Sequence, residues 1–471
     1  MDQYYKIIFC LIITCVIAFI GLNTGVFWDN ITFISQMGNA LYENGIFSWN
    51  SIPVEHDPGH PPFVATIMAL SWHIFDKSLL VSHVILWPFI FGIIWQLLNL
   101  CSYFILDVKL RYFTIIFIVV DTTFLSHIAF IDIEVPLLFF TLLCITNILE
   151  RKRVLKCISL TLLSMVSLRG MMLCAGLFIV DFLIGYYRIY NLKGVRKFRN
   201  EVYCDILIYI IAAIPSMIYI AWRLFDKGWL IANPMHMWGD STSFTSVSEF
   251  INNVFWNFVV IGHRYLDFGR IIPILFTIFT IIFKKEILAD SKVRTLLIIS
   301  FFSVSIVCIV SLIIKNNIDH RYFIISFIGI NLLSFVLASS YKHHLLIRIV
   351  LFVSLLSGSF YVYPDRIAEQ WDSTMAHYPY WELRSQALEY MESHHISIGQ
   401  TATFFPNHSI DEVELNTDKR EFQFFDSNND YILFSNILVI DDDDYNHVMN
   451  DYVVLKLFEK RGIRVEIRKR R

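Results

Sequence analysis

Charge is scarce in this chain. Asp, Glu, Lys and Arg make up 17% of its 471 residues, against 56% apolar residues. Long windows carry no charge at all, which excludes a soluble globular protein, because such a protein needs more polar surface to cover its core. Cysteine is sparse too. Of eight, Cys10, Cys15, Cys144, Cys174 and Cys308 sit inside apolar runs, and no Cys-x-x-Cys pair occurs. Nothing here forms a disulfide scaffold or a thiolate zinc site. No internal repeat is apparent. No small-x-small cleavage signal follows the first apolar run, Ile7 to Leu22, which Lys6 precedes. That run reads as an uncleaved signal-anchor helix. The net charge of −3 says little, because a membrane protein is read by where its Lys and Arg fall.

What is abundant is Phe, at 42 residues, and mean hydropathy reaches +0.56. The chain reads as a polytopic α-helical membrane protein. About eleven spans are expected, over 6–22, 80–106, 112–130, 133–150, 154–168, 170–187, 203–223, 267–284, 295–314, 321–340 and 345–363. Three are shorter than a straight crossing needs, which calls for tilt or re-entry. With the N-terminus in the cytoplasm, basic residues crowd the inner loops, among them Lys109, Arg111, Arg151, Lys152, Arg153, Arg188 and Lys193. The outer loops are poorer in them, as the positive-inside rule requires. A transmembrane domain over 1–363 then carries two large external loops, 23–79 and 224–266. A small extracytoplasmic α/β domain follows over 364–471.

Local patterns fill in the external parts. In 29–45, Ile31, Ile34, Met37, Ala40 and Leu41 repeat at helical spacing, with Asp29 placed to cap and Gly45 to stop. Such a helix is expected to lie in the membrane interface, apolar side toward lipid. Pro61-Pro62 begins a second short helix, Phe63 to Phe75, with Trp72 near the headgroups. The loop 224–266 holds Trp229, Trp238, Trp256 and Asn233-Pro234-Met235-His236. In the tail a helix is expected from Tyr380 to Ser393, and strands from Gln400 to Phe405 and from Tyr431 to Val439. A helix from Tyr445 to Lys460 and a last strand, Ile463 to Ile467, complete it. Asp441 to Asp444 read as an acidic helix N-terminus, with a calcium site as the sharper alternative.

One stretch clusters Asp, His and Pro beside the first span, from Trp28-Asp29-Asn30 to His56-Asp57-Pro58-Gly59-His60-Pro61-Pro62. Such groups are costly near hydrocarbon unless they face water, a partner or a substrate. The stretch resembles the GT-C glycosyltransferase superfamily, and is most similar to the branch of protein O-mannosyltransferases and lipid A aminoarabinose transferases. Asp29 matches the essential acid of that branch's first external loop, and Gly59-His60-Pro61-Pro62-Phe63 its proline-rich helix start. Asp132 in Phe130-Ile131-Asp132-Ile133-Glu134 matches a second acid, and His320-Arg321-Tyr322-Phe323 a basic-Tyr pair. Asp29 is followed by Asn30 rather than a second acid, no Lys precedes Pro61, and the tail matches no familiar carbohydrate-binding module. The resemblance covers 1–190 well and the later spans in outline. It implies a GT-C-like fold, a polyprenyl-phosphate sugar donor and inverting transfer on the external face of a bacterial-type plasma membrane.

Elementary chemistry asks for the same parts. An attacking hydroxyl needs a carboxylate to take its proton, and a departing phosphate needs positive charge. Asp29 reads as that base or as a plain helix cap. Asp132 and Glu134 orient an acceptor or end a helix at the interface. His60, with Asp57 beside it, contacts phosphate or sugar. A divalent metal on His56, Asp57 and His60 is the alternative to a plain Asp57-Pro58-Gly59 turn, and no metal is required. Arg169, with no acid nearby in sequence, anchors at headgroups or grips phosphate. His320, Arg321 and Tyr322, and more weakly His263 with Arg264, stabilise the leaving phosphate or form local ion pairs. The expected partners are the lipid-linked donor, a hydroxyl acceptor and the bilayer, and no nucleic acid. Rival readings are a lipid-linked glycan transporter, which places polar groups at midplane in broken helices, and a non-catalytic assembly subunit.

Overall fold

The computed structural model describes residues 2–187, 195–230, 233–234, 239–315, 317–365, 371–405, 407–438 and 440–471. Met235, His236 and Trp238 of the second loop, with Arg188 and Lys193, lie outside them. The chain is largely helical. Among the described residues six helices are long and apolar enough to cross a membrane: Gln3–Gly21, Leu79–Phe104, Leu168–Gly185, Glu201–Lys227, Ser291–Ile313 and His320–Ala338. Two bent pairs raise the number to eight, fewer than the eleven expected. The expected span 112–130 is one of these pairs, Val108–Val119 and Thr122–Ala129, meeting at 80°. Asp121 explains the break. It is an N-cap, and its carboxylate accepts the N–H groups of Thr123 and Phe124. Helices Val247–Leu266 and Ile271–Phe283 meet at 94°.

Large apolar side chains stand exposed on the long helices. Leu11, Ile12, Val16 and Phe19 do so on the first, and Leu207, Ile210, Ile214 and Met217 on another. Contiguous apolar surface of that kind belongs in lipid, not water. By contrast, helix Ile324–Ala338 is buried on nearly every side and forms the middle of the bundle.

The first loop turns inward. Trp28 adopts a left-handed φ of 54°, costly for a bulky side chain, and so redirects the chain into a π-helical turn, Ile31–Gln36, and helix Met37–Asn44. Asp29 does not cap it, and the cap position falls on Asn30, whose side chain makes no capping bond. Nor does its apolar side face lipid. Ile31, Ile34, Met37 and Leu41 are all buried, the last two against helix Phe63–Phe75. Trp72 of that helix is buried as well, its indole N–H donating to Ser82 Oγ at 2.8 Å. Neighbouring parts of the first loop cover Met37 and Leu41, and the tail joins at Ser35 and Gln36, which bond to Glu412.

The tail forms a five-stranded sheet: β1 Thr401–Thr403, β2 Gln423–Phe424, β3 Tyr431–Ser435, β4 Tyr452–Lys460 and β5 Ile463–Arg470, in the order β2-β1-β3-β5-β4. Helix Tyr380–Ser393 packs on it and matches the expected span. The expected helix from Tyr445 to Lys460 is instead helix Asp442–Asp451 followed by β4. Val453, Val454, Leu455 and Phe458 favour extended backbone. Arg461 and Gly462, both at positive φ, close a two-residue hairpin into β5. Asp441 is the N-cap of that last helix, accepting the N–H of Asp444.

This tail is bound to the first loop at several points. The N–H of Val26 donates to the carbonyl of Val413 at 2.8 Å, Ser35 Oγ to the carbonyl of Glu412 at 2.6 Å, and Lys77 pairs with Asp411 at 2.8 Å. Phe27 packs on Tyr380 and Trp381. Just before Tyr380, residues 371–377 enter the helical bundle, where Thr123 Oγ1 donates to the carbonyl of Ser373 at 2.9 Å.

Candidate active site

Two helix bends set the frame of the site. Arg270, in one bend, makes a buried two-pronged contact with Asp121, in the other, at 2.9 and 3.0 Å, and stacks on Phe327 at 4.0 Å. A fork of that geometry fixes orientation as well as charge. It locks helix Thr122–Ala129 against the central helix, and with it His127.

Arg321 lies at the start of that central helix, in the turn His320–Phe323 that Asp319 caps. Its guanidinium is buried among three carboxylates from three distant segments. Asp29 pairs with Nη2, Asp319 lies 3.2 Å from Nε, and Asp372 lies 3.5 Å from Nη1. Ser373 Oγ donates to Asp319 at 2.7 Å, which ties the tail segment to the same turn. Burial pushes the Asp372 carboxyl pKa up to about 8, and the Asp319 charge pushes the same way, against His127 and Arg321.

Behind this group stands a second layer. His127 Nδ1 lies 2.6 Å from Asp132 Oδ2, both fully buried. Asp132 Oδ1 also accepts the N–H of Glu134 at 2.9 Å. Asp132 therefore faces His127 and the start of helix Glu134–Glu150, not open space. Asn30, the residue in place of a second loop acid, accepts the N–H of Ile133 at 3.2 Å. Glu134 is buried and pairs with Arg169, which corrects the expectation that Arg169 has no acid. Arg169 also stacks on Tyr322 at 4.7 Å.

A cavity of about 440 Å³ opens beside these charges. Asp29, His60, Arg169, Asp319, Arg321 and Tyr322 line one end, and Met172, Val307, Val310 and Ile314 line an apolar wall. His60 is fixed there by accepting the N–H of Leu168 at its Nδ1, 3.1 Å away, and by an edge contact with Phe33. That bond leaves Nε2 as the proton-bearing nitrogen of the neutral ring.

Other residues singled out in the sequence lie elsewhere. Asp57 is buried and its Oδ1 accepts the N–H of Gly59 at 2.9 Å, the plain turn. Burial raises its pKa against that backbone bond and the charge of Arg223. His56 and Asp57 are not on the cavity wall, and they do not converge with His60 as a metal site. His320 is buried with Nε2 3.1 Å from Asp267, stacked on Phe268. Arg264 donates to the carbonyl of Ile318 at 2.9 Å and so holds the backbone leading into Asp319. Neither reaches the cavity. His127, Asp121, Arg270 and Asp372 were not anticipated. A signal existed for two of them, since Asp121 and His127 interrupt an otherwise apolar run.

The chain is therefore an integral membrane protein whose buried charge gathers at helix ends, beside a cavity that is polar at one end and apolar at the other. No family model matches it, and no curated protein matches it. Among solved structures, ArnT from Cupriavidus metallidurans bound to undecaprenyl phosphate is 10% identical. That alignment covers 98% of this chain and 97% of ArnT, with a TM-score of 0.47. Apo ArnT from the same organism is 11% identical over 99% of this chain and 98% of its own, also at 0.47.

Proposed function

We propose that this chain is a membrane glycosyltransferase that moves a sugar from a polyprenyl-phosphate carrier to a hydroxyl acceptor outside the cytoplasm, with inversion at the anomeric carbon. The observation that carries this reading is the cavity. Its apolar wall suits the first isoprene units of a lipid. Its charged end holds two guanidiniums, Arg169 and Arg321, where a lipid phosphate would sit. A carboxylate, Asp29, lies at the same end.

These parts fit one displacement. The acceptor oxygen attacks the anomeric carbon from the face opposite the phosphate. Asp29 takes the hydroxyl proton as that bond forms. The bond between the sugar and the phosphate oxygen breaks, and its electron pair leaves with the polyprenyl phosphate, whose charge the guanidiniums meet. Binding donor and acceptor in line supplies much of the acceleration. A transporter needs its polar groups along a path through midplane. Here Asp29, Asp319, Arg321 and Asp132 all sit in loops or first turns, at helix ends.

Mass analysis of lipid extracts from cells with and without the protein tests this reading. Accumulation of one polyprenyl-phosphate sugar, with loss of that sugar from a surface glycan, lipid or protein, is expected on deletion. Unchanged lipid-linked sugars together with an unchanged surface would overturn it.

A further inference from the structure

We infer that His127, Asp319 and Asp372 form a buried site for one divalent transition-metal ion, Zn²⁺ or Mn²⁺, just behind the charged end of the cavity. One ligand atom from each of the three lies within 4.8 Å of the other two. All three side chains are almost fully buried: His127 is 0% exposed, Asp319 3% and Asp372 1%. They come from three separate segments, the short helix after the first bend, the turn that starts the central helix, and the segment leading into the tail sheet.

Unsatisfied atoms point to an ion. Among the described residues, His127 Nε2 and Asp372 Oδ1 are buried and lack a hydrogen-bond partner, while Asp319 Oδ2, also buried, has the Arg321 Nε ion pair at 3.2 Å. A buried polar group without a partner is costly, and two of them gathered beside a third buried acid ask for a common occupant. The histidine is already oriented for the task. Its Nδ1 is held by Asp132 at 2.6 Å, which fixes the ring and leaves Nε2 to offer a lone pair. A carboxylate behind a metal-binding histidine is the usual supporting partner. Asp132 is in turn held by the N–H of Glu134.

Charge argues the same way. Asp29, Asp319 and Asp372 surround one guanidinium, Arg321, while Glu134 pairs with Arg169. A divalent ion brings the group close to neutrality. Arg321 repels it and holds Asp319 through Oδ2, but it contacts Asp372 through Oδ2 as well, leaving Asp372 Oδ1 for the metal. One imidazole with two carboxylates suits a first-row ion better than Mg²⁺ or Ca²⁺, which favour all-oxygen shells. Metal–ligand bonds of about 2.0–2.2 Å require the two carboxylates to rotate inward slightly. The site stands whether or not the cavity holds a glycolipid.

The test uses the full-length, tag-free protein in lipid nanodiscs, stripped with chelator and dialysed against Zn²⁺ or Mn²⁺. The expected result is about one tightly held ion per chain and a higher melting temperature with it. His127→Gln and Asp372→Asn are expected to lose the ion, and Asp132→Asn to weaken it by about 10–100-fold. If those variants do not fold, the wild-type protein loaded with Cu²⁺ decides. Its electron paramagnetic resonance spectrum should show coupling to one imidazole nitrogen. A folded wild-type protein that holds no stoichiometric ion overturns the inference. So does retention of wild-type affinity in His127→Gln, loss in His56→Gln instead, or a spectrum without nitrogen coupling.

Discussion

Replacing Arg169 with Gln separates what this guanidinium does for the fold from what it does for a ligand. In the fold it neutralises Glu134, which is fully buried, and it stacks on Tyr322. Removing one member of a buried pair costs about 3–5 kcal/mol, because the remaining charge loses its partner. The melting temperature should fall accordingly. In the cavity, a charge-assisted hydrogen bond to a phosphate oxygen contributes about 1.5–3 kcal/mol. At 1.4 kcal/mol per decade, its loss weakens binding of a polyprenyl phosphate by about 10–150-fold. A second substitution tells the two effects apart. In Glu134→Gln/Arg169→Gln no buried charge is stranded, so most of the stability should return while the binding defect stays. The assay is titration of nanodisc-embedded protein with undecaprenyl phosphate and, as a control, with the neutral alcohol undecaprenol. The alcohol should bind all three proteins equally. If Arg169→Gln binds the phosphate as wild type does, or if the double variant recovers binding, the assignment of this residue to the phosphate is refuted.

Three further outcomes follow from the same geometry. Asp29→Asn should cut turnover by about 10²–10⁴-fold, the range for a lost general base, while leaving donor affinity within a few fold; radiolabelled sugar transfer and lipid titration measure the two separately. Gly25→Ala should loosen the tail, because the added methyl meets the Trp381 ring at 2.6 Å and the Val413 carbonyl at 2.7 Å. A cost of about 1–3 kcal/mol, seen as faster protease cleavage within 380–460, is expected for such overpacking. His408 makes the tail sensitive to acid. Burial pushes its pKa down to about 4, against a hydrogen bond that the ring donates to the Thr403 backbone. The unfolded imidazole titrates near 6.5 and binds its proton first, so stability present above pH ~6.5 is lost as pH falls toward ~4. Melting curves across that window should shift down, and less so in His408→Gln.

Local rules made some of this legible from sequence. Pro61-Pro62 fixed the start of helix Phe63–Phe75, and the apolar spacing in Tyr380–Ser393 fixed another. Asp29, His60, Arg169, Arg321 and Tyr322 do share one cavity wall. What sequence reading misjudged is where apolar faces go once a third element arrives. An amphipathic helix beside a span has lipid as its default neighbour, so sequence alone directs Ile31, Ile34 and Met37 to lipid, yet other parts of the protein cover them. The same reasoning puts Trp72 at headgroups, whereas its indole N–H is satisfied by Ser82. The strand Tyr452–Lys460 is hidden in the sequence because the acidic helix before it runs directly into it with no intervening turn. The charge network escaped for a different reason. Asp29 and Arg321 are separated by 292 positions, and Asp121 and Arg270 by 149. No periodicity carries across such distances.

The position of Asp372 changes how the tail is to be understood. A soluble appendage would be tied to the bundle by a linker with few contacts. Here the segment entering the tail supplies Asp372 to Arg321 and Ser373 to Asp319, while Thr374 Oγ1 donates to the carbonyl of Gly358 at 3.0 Å. On the far side, Glu412 and Val413 hold the loop that presents Asp29. The two carboxylates that approach Arg321 from outside the central helix are thus both positioned by the tail, one directly and one through its hold on the first loop. Removing the tail would do more than expose an apolar surface. It would leave Arg321 with Asp319 as its one remaining fixed acid, and it would free Trp28 from the contact with Phe405 that helps keep its left-handed backbone in place. The charged end of the cavity is therefore a product of the bundle and the tail together, and the residues 371–377 are as much a part of it as the first loop.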